Sequence, residues 1–149
     1  MRTAWLALTV AWASLALVAC NDLHDFSGHW HGPRVGTDPV LAVGVAEAAT
    51  ADVTITTINA HGIAGSLAID GLTTDVAFAS IAGAEADAVA GLTFSGSPLR
   101  VYLAFVAMPD GGGDALAMVA LYDDHRLELR VMRGGAAPLY AIFALSEGA

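Results

Sequence analysis

The chain has no lysine and a single cysteine, and only 14% of its 149 residues are charged. Each shortage excludes something. One thiol has no partner within the chain, so no disulfide staples the fold, and a zinc site built on several cysteines is ruled out. Six basic residues, all arginine, face fifteen acidic ones. The basic patch that nucleic acid or anionic headgroups demand is therefore missing, and no nucleic-acid partner is expected. Charged residues fall well below the roughly 25% usual for soluble domains. Alanine and glycine fill much of the remainder, a bias that GC-rich coding explains without a functional account of the missing lysines.

What is present begins at the N-terminus. Met1-Arg2-Thr3 is a short, singly basic start, and Ala4 to Val18 follows as fifteen residues interrupted only by Thr9 and Ser14. As a helix that run would span ~22 Å, short of the ~30 Å hydrocarbon core, so it reads as a secretory signal rather than a permanent span. The apolar run stops at Cys20, whose apolar and acidic neighbours would not activate a thiol.

Leu17-Val18-Ala19-Cys20 resembles the lipobox of bacterial lipoproteins: a branched apolar residue, a small or apolar one, a small one, then cysteine. The resemblance implies that the Cys20 sulfur receives a diacylglyceryl group, that the signal is cut before it, and that the new N-terminus is acylated, as with palmitate. Residues 1–19 would be the signal peptide, 20–25 a lipidated tether and 26–149 a single domain. The membrane is then a partner through the lipid on Cys20. Cleavage leaves 130 residues with a formal charge of about −10, enough chain for one core without staples. Asparagine, not aspartate, follows the cysteine directly. By the family's sorting pattern, Asn21-Asp22 therefore points to the outer membrane of the cell envelope rather than the inner. The match covers residues 1–20 only; an ordinary signal or uncleaved anchor with an incidental Cys20 is the alternative.

Beyond the tether, apolar stretches alternate with Gly, Asp and Pro every eight to twelve residues, the spacing of an all-β sandwich or barrel. His125 to Met132 (HRLELRVM) is the clearest strand, with Leu127, Leu129 and Val131 on one face and Arg126, Glu128 and Arg130 on the other. In LRVYLAFVAM, residues 99–108, the same rule groups Leu99, Val101, Leu103 and Phe105 as an apolar inward face. Asp52 to Ile58 is rich in Val, Ile and Thr. Pro138 opens the last strand, where no ladder donor is needed. MPDGGGD at 108–114 and His61-Gly62 read as turns. Val43 to Ala51 and Gly83 to Gly91 are Ala-rich but lack an apolar stripe, and they too read as strands. The expected fold is an antiparallel up-and-down barrel of about eight to ten short strands, with a β-sandwich as the alternative.

Phe26 to Gly32, FSGHWHG, is the stretch with most chemistry. Phe26, Gly28 and Trp30 share one face of a strand and Ser27, His29 and His31 the other. Gly28-His29-Trp30 resembles the Gly-x-Trp of the first strand in calycins, the lipocalin and streptavidin-like barrels. That resemblance implies a Trp30 closing one barrel end beneath a basic side chain, Arg130 or Arg133. Nothing in the chain matches a biotin site, so ligand chemistry does not carry over. His29 and His31 stand ~6.6 Å apart on one face, a spacing at which neutral imidazoles can share a metal if His24, Asp25 or His61 folds close. With Trp30 inward, an exposed polar face is the preferred reading of the pair.

Other constellations fail. Asp123-Asp124-His125 lies where a turn wants Asp, without a nucleophile elbow. Gly111-Gly112-Gly113 is flanked by Asp110 and Asp114, which repel phosphate and lack EF-hand spacing. No cofactor is implied and no catalytic residue is assigned. The expectation is a non-catalytic envelope lipoprotein with a structural or protein-interaction role. The alternative is a binding module for an apolar small molecule in the barrel interior.

Overall fold

The computed structural model describes residues 23–35, 44–70, 72–81, 96–108 and 110–148. Cys20, residues 1–19 read as a signal peptide, and the Gly83–Gly91 stretch lie outside them.

Eight strands follow one another: β1 (Gly28–Pro33), β2 (Thr50–Ile58), β3 (Gly62–Ile69), β4 (Leu72–Ile81), β5 (Arg100–Ala107), β6 (Asp114–Tyr122), β7 (Arg126–Arg133) and β8 (Leu139–Glu147). Each pairs antiparallel with the next, and β8 returns to β1, so the sheet is a closed up-and-down barrel in sequence order. Closure satisfies the backbone groups that a sheet edge would leave open. The returning seam is short, with Trp30 opposite Glu147 and His31 opposite Ser146. It is lengthened by the Gly148 amide donating to the His29 carbonyl at 2.8 Å and by the Val35 amide donating to Ile142 at 2.8 Å. The β4–β5 seam is also short, three residue pairs from Ala79↔Leu103 to Ile81↔Val101.

Turn chemistry explains the meander. At the β2–β3 hairpin, Asn59 accepts from the amides of His61 (2.8 Å) and Gly62 (3.1 Å) through its side-chain oxygen, a side chain mimicking a backbone turn. Asp70 takes a left-handed φ of 52° between paired Ile69 and Leu72, as a two-residue hairpin needs. Between β5 and β6, Gly111 and Gly113 supply positive φ. Asp110 bonds the Gly112 amide and holds the Arg133 guanidinium through two contacts of 2.8 Å. Arg133 also donates to the Ala137 carbonyl at 2.7 Å, so it ties two loops at the barrel end opposite Trp30.

The core is the barrel interior. Trp30, Val53, Leu67, Tyr102, Val119, Leu129 and Phe143 are fully buried there, interleaved with Ala51, Ala115, Ala117 and Ala141. Large side chains from one wall meet small ones from another, which is how a narrow barrel fills. Two backbones approach so closely at Gly65 that an added Cβ would lie 1.7 Å from the Thr54 carbonyl oxygen.

Two expectations require correction. Val43–Ala51 is not one strand: residues 44–49 form bends and turns, with the Ala49 amide bonding the Ala46 carbonyl, and β2 begins only at Thr50. Between Val45 and Thr50 the run is Ala-Glu-Ala-Ala, residue types depleted in strands. In β5 the face is reversed. Tyr102, Ala104 and Val106 join the interior, while Val101, Leu103 and Phe105 point out and Phe105 is 77% exposed. Every position from 101 to 107 is apolar, so alternation carries no parity there. Pairing with β6, Tyr102 against Val119 and Ala104 against Ala117, settles it.

Candidate functional site

Among the described residues, three places hold chemistry beyond packing: the Trp30 end, the outer face of β1–β2, and the outer wall of β5–β8.

The chain enters β1 through a single turn, the Phe26 amide bonding Leu23 and the Ser27 amide bonding His24. Gly28 then adopts φ +137° with open space where a Cβ would stand. Conformation, not crowding, asks for glycine. The bend returns the Phe26 carbonyl over the barrel mouth, where the Trp30 indole N–H donates to it at 2.9 Å. Phe26 stacks on Trp30 with ring centroids 5.6 Å apart. The other ring beside Trp30 is His125, 5.1 Å away, from the β6–β7 turn. His125 has φ 55°, a left-handed conformation unusual for a non-glycine residue. It closes a three-residue hairpin loop between paired Tyr122 and Arg126, and its Nε2 contacts Glu147 at 3.2 Å. Neither arginine expected over Trp30 is engaged there: Arg130 pairs with Glu128 and Arg133 with Asp110.

On the outer face, His29 Nε2 and His31 Nδ1 both reach one oxygen of Asp52, at 3.0 and 2.8 Å. A carboxylate only accepts, so each imidazole donates. All three side chains are substantially exposed. Asp52 sits directly across from His31 in the β1–β2 register, a partner that same-strand spacing cannot reveal. His24 instead bonds Ser27, and His61 lies in the β2–β3 turn. Among the described residues no group of three or more His, Cys, Asp or Glu is arranged to hold a metal. Asp123, Asp124 and His125 do not act on one another: Asp124 pairs with Arg126 at 3.2 Å while His125 turns to Glu147.

The outer wall holds a surprise for an alternating strand. Glu128 and Arg130 point away from the interior, yet they are 3% and 2% exposed and form an ion pair. The Tyr122 hydroxyl donates to Glu128 at 3.3 Å. Burial and the Glu128 carboxylate together push the Tyr122 phenol up to about 12, so Tyr122 stays a donor at physiological pH. Farther along the wall, Phe105, Leu116, Met132 and Tyr140 are successive partners across β5–β8. They line an open groove of about 460 Å³.

Among the described residues, large side chains pack the barrel interior. A gap on the inner side of β2–β4, beside Val53, Ile63, Val76 and Phe78, has no room for a water molecule. No helix among the described residues is long and apolar enough to cross a membrane.

No protein-family model matches the sequence, and no curated protein matches it. Among solved structures, the crystal structure of a mutant of the fluorescent protein UnaG is similar. It is 14% identical, with 85% of this chain and 98% of that chain covered at a TM-score of 0.40. At that score the likeness says nothing of ligand or activity. The closed eight-stranded meander is read from the strand pairing itself.

Proposed function

We propose that this protein is a bacterial envelope lipoprotein, tethered through lipid on Cys20, whose barrel is a non-catalytic scaffold with a structural or protein-interaction role. The observation that carries the scaffold reading is the dense packing of the described side chains in the interior. Tyr102, Phe143, Trp30 and the inward leucines are buried there, and the inner gap beside Val53, Ile63, Val76 and Phe78 has no room for water, against the several hundred cubic ångströms of a typical small-molecule site. Function then rests with the outside. The Phe105–Leu116–Met132–Tyr140 row supports that, since aromatic and methionine side chains are enriched where proteins meet.

The tether is short. Leu23 is already packed in the core, and three residues from Cys20 span at most ~11 Å. Lipid on Cys20 would therefore keep the Trp30 end beside the membrane and leave the Arg133 end facing away. One acyl chain binds membranes only marginally, so stable anchoring takes the two or more that a lipobox implies.

Native mass spectrometry of the protein extracted from its own cell tests both halves. The expected species begins at Cys20, carries at least two acyl chains and retains no further small molecule. An unmodified Cys20 would end the lipoprotein reading. A stoichiometric apolar compound that survives extraction would replace the scaffold with the alternative, a binding module.

A further inference from the structure

The row of Phe105, Leu116, Met132 and Tyr140 crosses four strands on the outer wall, toward the Arg133 end of the barrel. Phe105 is 77% exposed, and the groove that the row lines holds about 460 Å³. A large apolar side chain held in water on a concave wall marks a surface that a partner covers. The floor of the groove is fixed, because β6 and β7 are each paired to a neighbour on both sides. Among the described lining residues two are charged, and they differ in availability. Arg133 is withdrawn: Asp110 holds its guanidinium through two contacts, and its side chain is 6% exposed. Asp114 stands two residues before Leu116 on the same face of β6. It is exposed and takes part in no ion pair among the described residues.

We propose that this groove docks an amphipathic α-helix of a basic partner protein, with the helix's apolar stripe on the row and a lysine or arginine beside Asp114. The inference deepens the interaction role proposed above and rests on it. Geometry selects the helix. Neighbouring strands lie about 4.8 Å apart, so the row extends over roughly 14 Å. An α-helix returns a side chain to one face every turn, about 5.4 Å, and matches that spacing over about nine residues. An extended segment would need an open strand edge to pair with, and β6 and β7 offer none. Charge selects the partner. With Arg133 spent on Asp110, the open charge at the groove is the Asp114 carboxylate, in a chain of formal charge −9. That field attracts a basic surface and repels an acidic one. A second copy of this chain would bring another −9 and, among its described residues, no helix of that length. Anionic headgroups are repelled in the same way.

The test begins in the protein's own cell, with the photoreactive benzoylphenylalanine replacing Phe105 in the full chain and, as control, replacing exposed Thr73 on β4. Mass spectrometry sequences whatever segment is captured. The expected result is capture from position 105 alone of a segment with apolar residues at three- and four-residue spacing and a net positive charge. That segment, synthesised as a peptide, is then titrated into the intact protein in neutral detergent, with the Met132 methyl resonance as readout. Saturable binding should weaken about tenfold with Phe105→Ala, and about threefold with Asp114→Asn or with raised salt. Both side chains are exposed, so the variants keep the fold, and unchanged Trp30 indole resonances verify it. Indifference to Asp114→Asn and to salt would overturn the proposal. Capture of an extended or acidic segment, or of a second copy of this chain, would overturn it while the interaction role of the row stands. Capture of membrane lipid, or no capture specific to position 105, would overturn both.

Discussion

Trp30→Ala removes a large buried side chain packed between Phe26 and the His125 turn. Its indole is fully buried, stacks on Phe26 and spends its N–H on the Phe26 carbonyl. Deleting a buried tryptophan costs ~3–5 kcal/mol through lost burial and the cavity left behind. A loss of about 4 kcal/mol is a large share of the ~5–15 kcal/mol a domain has. With a urea slope of about 1.5 kcal/mol per molar, the midpoint should fall by roughly 2.5 M. Trp30→Phe separates the contributions: it retains the stacked ring and loses the N–H bond, so about 1–2 kcal/mol should suffice. Circular dichroism of the chain from residue 21 onward, in urea, reads all variants without depending on the tryptophan removed. His29→Ala and His31→Ala serve as controls on the outer face. Their contacts with Asp52 are exposed, so each should cost within about 0.5 kcal/mol. A Trp30→Ala midpoint lowered by less than about 0.5 M, or histidine losses as large as that of Trp30, would refute the assignment of inner and outer faces. Zinc that stabilises the parent chain but not the histidine variants would refute the reading of the pair as a hydrogen-bonded polar face.

Gly65→Ala should unfold the chain or force β2 and β3 apart, because the new Cβ meets the Thr54 carbonyl at 1.7 Å; amide exchange across the β2–β3 pairs measures it. The Asp110 carboxyl is held down to about 2 by the Arg133 guanidinium and the Gly112 amide. Its stabilising contribution is thus complete above the unfolded value near 4 and is lost as pH falls toward 2. Asp110→Asn should remove that part of the acid sensitivity in thermal melts between pH 2 and 5, and an unchanged profile would refute it. Cys20→Ser should leave the protein uncleaved or release it from membranes; a variant still processed and still membrane-bound would contradict lipid tethering. Fractionation should place the native protein in the outer membrane, and recovery with the inner membrane alone would show that Asn21-Asp22 retains it.

Much of this fold is written locally. The β7 strand, with Leu127, Leu129 and Val131 inward, follows from a two-residue period that one buried face imposes on any strand. The turn at Asp123–His125 and the glycines at 111 and 113 follow from the dihedral angles those residues tolerate. Trp30 as core follows from its size and its place opposite two histidines. Where apolar residues occupy both faces, as in β5, the period is silent, and only pairing with β6 turned Phe105 outward. Alternation also says which side a residue takes but not whether that side meets water. Glu128 and Arg130 take the outer side as their spacing demands, yet they are buried and paired. The Asp52 contact with both histidines, the Arg133 clasp on Asp110 and the His125 cover on Trp30 join residues at least 21 positions apart. Such contacts arise only when strand register and barrel closure bring distant segments together, so they belong to the tertiary structure alone.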